Sequence, residues 1–299
     1  MGGASQVVLH PIRLLLGRPA TPPHLMRSNL QILTLAGLKP RLQTLALRCV
    51  ISRDVWKKNE LIPLQQNSLL SYEIEFRTCS IKQALNLDLE FTRGSSEKTF
   101  LTRCIWLPLY EESKHIVDKY LTDITYIHHV VHIPSVRDMV DELYQNLHSK
   151  IPVKLGHVSL LLGILASTTF FWTERDIATP IFSSAKEAND QATGWMKTAL
   201  DVLEYSRRTR SDSIEDIQAM VIVCFVIFNI VGITSQPRSI FSMAISVAKR
   251  LSLHRIDHPD NAGLDAPSPD SVRAEIGRRV WWYLVATDWY GSLLLLSFF

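Results

Sequence analysis

Apolar residues recur every three or four positions along most of the chain after residue 107, which is the period of an α-helix. Short polar loops separate these stripes, and no sustained alternation of apolar and polar residues indicates a strand. The helices predicted in this way lie at about 107–121, 136–147, 153–172, 185–208, 214–231, 240–251 and 272–287. We therefore expect an all-α fold of antiparallel packed helices, preceded by a poorly structured N-terminal region.

Three helix starts carry the signature of a capping box, in which a serine is followed three residues later by an acidic residue. The pairs are Ser135 with Asp138, Ser184 with Glu187, and Ser213 with Asp216. Gly232 is the predicted C-terminal stop of the helix that Ser213 opens. Small residues within the apolar segment 153–172 predict close contact with neighbouring helices; they are Gly156, Gly163, Ala166 and Ser167.

The stretch 241–290 carries the most specific arrangement of polar residues in the chain. It reads FSMAISVAKRLSLHRID, then a loop rich in Pro, Asp and Gly, then EIGRRVWWYLVATDWY, which predicts two antiparallel helices. Glu275 precedes Arg278 and Arg279 by three and four positions, so these side chains share a helix face and can form ion pairs.

Two tryptophans and an aspartate follow the charged residues of this second helix. Trp281 and Trp282 point in different directions, so each is expected to be only partly buried. Asp288 lies among aromatic residues, and we expect it to pair with Arg278 or Arg279.

A helix ending in A-x-x-L-x-L-H-R, a loop, and E-x-x-R-R-x-W-W followed by an aspartate together resemble the fungal-specific transcription factor domain. That domain is the middle homology region of zinc binuclear cluster (Zn2Cys6) regulators. The matching positions are Ala248, Leu251, Leu253, His254, Arg255, Glu275, Arg278, Arg279, Trp281, Trp282 and Asp288. An L-P-x-x-E-E start, a His-rich turn and a Pro-Ser-x-Arg helix also resemble the beginning of that domain, so the resemblance covers about residues 107–290.

The resemblance implies a transcription regulator that acts in the nucleus, with an all-helical regulatory domain over residues 101–299. It also implies that the matching polar and aromatic residues hold the domain together and do not contact a ligand; these are His254, Arg255, Glu275, Arg278, Arg279, Trp281, Trp282 and Asp288. Because the family continues beyond the region of Asp288, the resemblance further implies a chain that is cut short at its C-terminus.

The DNA reader of that family is an N-terminal cluster of six cysteines that holds two zinc ions. This chain has four scattered cysteines and no C-x-x-C pair, so zinc would belong to a missing N-terminal cluster and no cofactor is expected here. DNA would then be reached only through a missing domain or a partner. The partner classes left open are a second copy, a different dimer subunit, a co-regulator and a small-molecule effector.

The N-terminal region has a composition of its own. Residues 1–53 contain no Asp or Glu but several basic residues, a balance that resembles a mitochondrial transit peptide. Prolines between positions 19 and 23 interrupt any single amphipathic helix there, so we favour a mis-assigned gene start or a disordered segment over a transit peptide. We expect residues 1–100 to lie outside the regulatory domain.

Three apolar segments leave a helical membrane-associated protein open as an alternative; they span 155–172, 219–233 and 280–299. The second is shorter than a membrane span, the first carries His157 and the third carries Asp288. Buried core helices have the same composition, and we favour that interpretation.

No P-loop, G-x-S-x-G, G-x-G-x-x-G or H-E-x-x-H pattern occurs, so the chain is not expected to be an enzyme. A helical enzyme whose site is assembled from distant residues is the second alternative. His128, His129 and His132 lie close together but lack the acidic partner of a zinc-binding helix, and Pro134 follows. We therefore predict a turn that packs its imidazoles against the domain, not a metal site.

Overall fold

Helices dominate the part of the chain that the computed structural model describes, which is residues 72–84, 91–93, 101–176, 181–232, 234–258 and 271–296. The helices are α1 (Ile81–Ala84), α2 (Tyr110–Asp123), α3 (Ile133–His148), α4 (Leu155–Phe170), α5 (Ala185–Arg208), α6 (Ile214–Val231), α7 (Ser235–Arg250) and α8 (Val272–Leu296). The strands are β1 (Tyr72–Thr78), β2 (Phe91–Arg93) and β3 (Leu101–Leu107). The all-α prediction is confirmed, whereas the expectations for residues 1–53 lie outside the described residues.

Helix α4 lies at the centre of the fold, between α5 and α6. Every residue from position 156 to position 169 is buried. The hydroxyls of Thr168 and Thr169 donate to the carbonyls of Ile164 and Leu165 at 2.8 and 2.7 Å, so that they need no partner outside the helix. A helix that is apolar all round must be covered on every side, and α4 is the core of the domain.

Small residues set the distance between α4 and α6, as predicted. A Cβ placed on Gly163 would lie 3.5 Å from both the Cα and the carbonyl oxygen of Ala219. The glycine therefore brings the backbone of α4 into van der Waals contact with α6.

Two of the three predicted helix starts are confirmed. Ser184 accepts from the amide of Glu187 at 3.1 Å, and α5 begins at the next residue. Ser213 and Asp216 form a reciprocal capping box at the start of α6. Gly232, with φ of 81°, ends α6 as predicted.

The third predicted start, Ser135, is wrong. Helix α3 begins at Ile133, and its N-cap is His132, whose Nδ1 lies 2.8 Å from Ser135 Oγ and accepts from the Ser135 amide at 3.4 Å. Pro134 therefore occupies the first turn, where its missing N–H removes no helical hydrogen bond.

A small sheet precedes α2 and was not predicted. Strand β1 pairs in parallel with β3 from Tyr72↔Leu101 to Thr78↔Leu107, and β2 pairs antiparallel on the other side of β3. Ile74 and Phe76 pack against the core, while the alternate residues Glu73, Glu75 and Arg77 are exposed. The sheet joins residues on both sides of position 101, where the regulatory domain was expected to begin, and that boundary stays a prediction.

Among the described residues, α6 is the one helix of sufficient length and apolarity to cross a membrane. Its neighbours in the fold cover it, and 72% of its residues are buried. A buried core helix meets the same criteria as a membrane span, so α6 is weak evidence for a membrane protein.

Candidate functional site: the junction of α7 and α8

The chain turns sharply between α7 and the 3-10 turn Leu253–Arg255. Ser252 adopts a left-handed conformation with φ of 57°, and its amide donates to the carbonyl of Lys249 at 3.0 Å. Leu253 is buried, whereas His254 and Arg255 lie at the surface. The turn is thus anchored by one leucine and presents two basic residues outward.

Gly277 allows α8 to touch this turn. A Cβ at this position would lie 2.5 Å from Ile256 Cδ1 and 3.4 Å from Leu253 Cδ2, so a larger residue would have to displace the Ile256 side chain. The sequence reasoning missed this residue. The feature that could have identified it is a glycine inside a predicted helix. Alanine is more favourable there by about 1 kcal/mol, so a glycine is expected only where close packing requires it.

Four charged residues form a continuous chain of ion pairs across the junction. Both Nε and Nη2 of Arg278 lie 2.8 Å from Asp257 Oδ1. Glu275 Oε1 accepts from Arg279 Nε at 2.8 Å, and Glu275 Oε2 lies 3.6 Å from Arg278 Nη1. The predicted pairing of Glu275 with both arginines is confirmed, and Asp257 is a partner that the motif did not reveal.

These contacts favour the charged forms of their members. The hydrogen bond from Arg279 holds the pKa of the Glu275 carboxyl below its ordinary value. The hydrogen bond to Asp257 likewise raises the pKa of Arg278. All four groups are accessible to solvent, so the chain of ion pairs orients the junction more than it stabilises the core.

The two tryptophans of the motif face different surroundings, as predicted. Trp281 is half-buried, and its ring centroid lies 5.6 Å from that of His254. Trp282 is 63% exposed. The motif therefore supplies one packing contact to the 3-10 turn and one aromatic side chain to the surface.

Helix α8 has a buried face and an exposed apolar face. Val280 and Leu284 are fully buried. Val272, in the first turn of the helix, is 49% exposed. On the opposite side Trp282, Val285, Ala286 and Trp289 recur at helical spacing and are all exposed; we name these four residues the outer α8 face.

Asp288 does not lie with the other motif residues. Its side chain is exposed, and it lies ten residues beyond Arg278 and nine beyond Arg279 in the same helix. At 1.5 Å per residue this is about 14–15 Å along the helix axis, and Arg279 points to the opposite side. The expected ion pair between Asp288 and either arginine is therefore wrong.

The His-rich turn packs against this same helix. His128 is 4% exposed, and its ring centroid lies 4.8 Å from that of Phe225 and 5.7 Å from that of Tyr283, both edge to face. Burial lowers the pKa of His128 to about 4, so the ring is neutral at neutral pH. Gln218 Nε2 donates to the carbonyl of Val130 at 2.5 Å and ties the same turn to α6.

The predicted packing role is thus confirmed for His128, which lies in the core, and His132 caps a helix, whereas His129 is exposed and the prediction is wrong for that residue. Within the described ranges, no three His, Cys, Asp or Glu side chains come together in a group suited to a metal ion. The junction consists of packing contacts and ion pairs beside an exposed aromatic face, an arrangement suited to contact with another molecule.

Comparison with known proteins places these elements in context. The family model described as "Fungal specific transcription factor domain" matches residues 117–295. That range contains α3 to α7 complete and nearly all of α8. No solved structure matches the chain.

Curated relatives are similar over much of the chain. The Probable transcription factor lepB of Aspergillus flavus is 39% identical over 229 residues, which is 75% of this chain and 40% of the relative. Transcription factor TAS2 of Pyricularia oryzae is 27% identical over 72% of this chain and 27% of its own length. The Agnestins biosynthesis cluster transcription factor AgnL11 of Paecilomyces divaricatus is 25% identical over 63% of this chain and 27% of its own length. The matched region is therefore less than half of each relative.

Proposed function

Because the chain belongs to the family of the fungal-specific transcription factor domain, we propose that it is a transcription regulator of the fungal zinc-cluster class. The match over residues 117–295 carries the proposal, since it coincides with the continuous helical core from α3 to α8. The described helices would act as the regulatory half of the protein. They would respond to a partner or effector and change the activity of a DNA-bound complex.

DNA recognition is proposed to come from a zinc cluster or a partner outside the described residues. The net charge of +3 is too small to hold DNA by phosphate contact alone. The motif residues of the junction are proposed to keep α8 in register with the 3-10 turn Leu253–Arg255 and not to contact DNA. The proposal also places the protein in the nucleus and leaves a membrane location as its alternative.

The test is a transcription assay with the whole chain. The 299-residue protein is fused to an unrelated DNA-binding module and expressed in a fungal host that carries a reporter gene under that module's operator. We expect reporter transcription to differ several-fold from that of the module alone, and the fusion to be nuclear. A stable, nuclear fusion that leaves transcription unchanged in both directions would contradict a regulatory role.

A matched pair of variants separates regulation from folding. Trp282→Ser changes an exposed residue of the outer α8 face and should leave the domain folded. Leu284→Asp places a carboxylate in the core and should abolish folding and the transcriptional effect together. Fractionation of the same cells tests the alternative, because a membrane protein would remain in the pellet after carbonate extraction.

The gene targets are proposed to include a biosynthesis gene cluster. The support is the name of one relative, the Agnestins biosynthesis cluster transcription factor AgnL11. Comparison of transcripts between a deletion strain and an overexpressing strain would test this. Coordinated change of adjacent biosynthetic genes is the expected result, and a response confined to scattered housekeeping genes would contradict it.

A further inference from the structure

Charged side chains gather where the end of α5 and the end of α7 meet. The segments 204–212 and 246–250 hold five cations and two carboxylates, which we name the basic cluster; its members are Glu204, Arg207, Arg208, Arg210, Asp212, Lys249 and Arg250. The excess of three positive charges equals the formal net charge of the whole chain, which is +3. The cluster therefore carries as much positive excess in a few residues as the chain carries in 299.

An ion pair joins the two segments into one surface. Arg250, at the end of α7, donates from Nε and Nη2 to Asp212 Oδ2 at 2.8 and 2.7 Å, and Asp212 lies in the loop that follows α5. Arg207 donates from Nε and Nη2 to the two carboxylate oxygens of Glu204 at 3.0 and 2.7 Å. Each carboxylate thus orients one arginine, and both arginine side chains remain about half exposed.

Two cations of the cluster have no carboxylate partner among the described residues. They are Arg210 and Lys249, and both are exposed. The acidic residues that follow in α6 do not neutralise them, because Glu215 lies 3.8 Å from Arg273 of α8 and Asp216 is buried. The charge of Arg210 and Lys249 is therefore available to another molecule.

The backbone at Arg210 has a conformation that suits glycine best. Arg210 has φ of 55°, and the next amide, of Ser211, donates to the carbonyl of Ser206 at 2.9 Å, as in a helix end closed by a left-handed residue. Arg207 and Arg208 lie in the last turn of α5, where cations already complement the helix dipole. Neither helix termination nor the dipole accounts for an arginine at position 210, which favours a role for its charge at the surface.

The chemistry of this surface favours phosphate groups over a protein partner. Protein interfaces depend on aromatic and apolar anchors, and the large apolar side chains that the described part of the chain exposes all lie outside the two segments. The segments instead expose the hydroxyl residues Thr209, Ser211 and Ser246 beside the cations. Arginine, lysine, serine and threonine are the side chains that contact the backbone of DNA.

We propose that the basic cluster binds the phosphate backbone of double-stranded DNA without reading its sequence. Arg210 and Lys249 supply free charge, and Arg207 and Arg250 contact phosphates from positions that their carboxylate partners hold. The inference rests on the proposed function, because a regulator in a DNA-bound complex has a duplex beside its helical domain. An excess of three charges cannot hold DNA alone at physiological salt, so this contact adds to recognition made elsewhere.

The first test measures binding of the full 299-residue chain to fluorescein-labelled duplexes of about 20 base pairs by fluorescence anisotropy. Two duplexes of unrelated sequence are compared between about 25 and 150 mM salt. We expect saturable binding that differs by less than about twofold between the duplexes and weakens steeply as salt is added. No binding at the lowest salt, or a preference of more than about tenfold for one sequence, would overturn the proposal.

The second test removes the two free charges. Arg210→Gly fits the left-handed backbone and Lys249→Gln is at an exposed position, so the unfolding midpoint should not fall. Together they should weaken duplex binding by about tenfold or more and lower the slope of log affinity against log salt by about two, since each phosphate contact contributes about 0.9.

The matched control removes the same charge from α5 outside the cluster. Lys186→Gln combined with Lys197→Gln changes two exposed residues and should leave duplex binding within about twofold of wild type. Equal losses in the two double variants would show that only net charge matters and would overturn the proposal. Unchanged binding in the cluster variant would also overturn it, because the contact would then lie elsewhere, for example among the basic residues 1–53.

An acidic peptide is the other partner that these charges could attract. A fluorescent peptide of about eight glutamates should bind more weakly than the duplex. Tighter binding of the peptide, lost in the cluster variant, would overturn the proposal in favour of a protein partner. The reporter assay fails separately: duplex binding with unchanged reporter transcription would contradict the regulatory role and support the phosphate contact, whereas a regulated reporter without duplex binding would overturn the contact alone.

Discussion

Replacing Gly156 by alanine tests the contact between α4 and the first turn of α6. The added Cβ would overlap Ser213 Oγ and lie 3.1 Å from Ser213 Cβ. The hydroxyl cannot turn away freely, because it accepts from the Asp216 amide at 3.1 Å and lies 3.0 Å from Asp216 Oδ2. Either the cap of α6 breaks or the two helices move apart.

The expected loss of stability in Gly156→Ala follows from these two possibilities. Loss of a serine N-cap costs about 0.5–2 kcal/mol. Overpacking that moves the backbone costs about 1–3 kcal/mol. We therefore expect Gly156→Ala to lower the free energy of unfolding by about 1–3 kcal/mol, with a fall in the melting midpoint of about 2–4 °C per kcal/mol.

Gly163 provides the matched control on the same helix. An added Cβ there would meet Ala219 and Val223 at 3.5–3.6 Å, which is ordinary van der Waals contact. Alanine also has a higher helix propensity than glycine by about 1 kcal/mol. Gly163→Ala should therefore leave stability unchanged or raise it.

The assay is urea and thermal unfolding followed by far-UV circular dichroism, on both single variants and on Gly156→Ala combined with Ser213→Ala. Removal of the hydroxyl relieves the overlap, so the double variant should lose less stability than the sum of its two single changes. The reasoning fails if Gly156→Ala is as stable as wild type, if both glycines respond alike, or if the double variant is additive.

Three further predictions concern α8 and its contacts. The free energy of unfolding should fall as the pH drops from about 6.5 to 4, because His128 is neutral when folded, with a pKa of about 4, and protonates more readily when unfolded. The loss approaches about 3 kcal/mol and should be smaller in His128→Phe, so equal pH profiles of the two proteins would contradict the prediction. Leu284→Ala should lower the free energy of unfolding by about 2–5 kcal/mol, whereas Trp282→Ala should lower it by less than about 1 kcal/mol. Similar unfolding midpoints of the two variants would show that α8 is rotated from the described orientation. Gly277→Leu should destabilise by about 1–3 kcal/mol, and Ile256→Ala should recover part of that loss if the two residues are in contact.

The features that the sequence predicted correctly are those fixed by nearby residues. The bounds of α5 and α6 follow from an apolar period and from a serine cap whose partner lies three residues away. The ion pairs of Glu275 likewise depend on the spacing within one helix. Such contacts can be read locally, because the geometry of the helix places the partners.

The features that were missed depend on residues distant in the chain. Strand β1 contains a short alternation, E-I-E-F-R, but its partner β3 begins more than 20 residues later. The contact of Gly277 with Ile256 and the ion pair of Arg278 with Asp257 both cross from α8 to the preceding turn. His132 was missed as a cap because serine is the commoner N-cap and Ser135 lies three residues before an acidic residue.

The burial pattern also indicates where on this domain a regulatory contact can form. Helix α4 has no exposed side, so it cannot meet another molecule without unfolding, and α6 is mostly covered apart from Phe228 near its C-terminal end. Helix α8 differs, because its buried face is sufficient to hold it while Trp282 and Trp289 remain 63% and 73% exposed on the other side. Contacts made at the outer α8 face therefore act on a helix whose other face is held in the core, so that binding can be changed by substitutions there without loss of the fold.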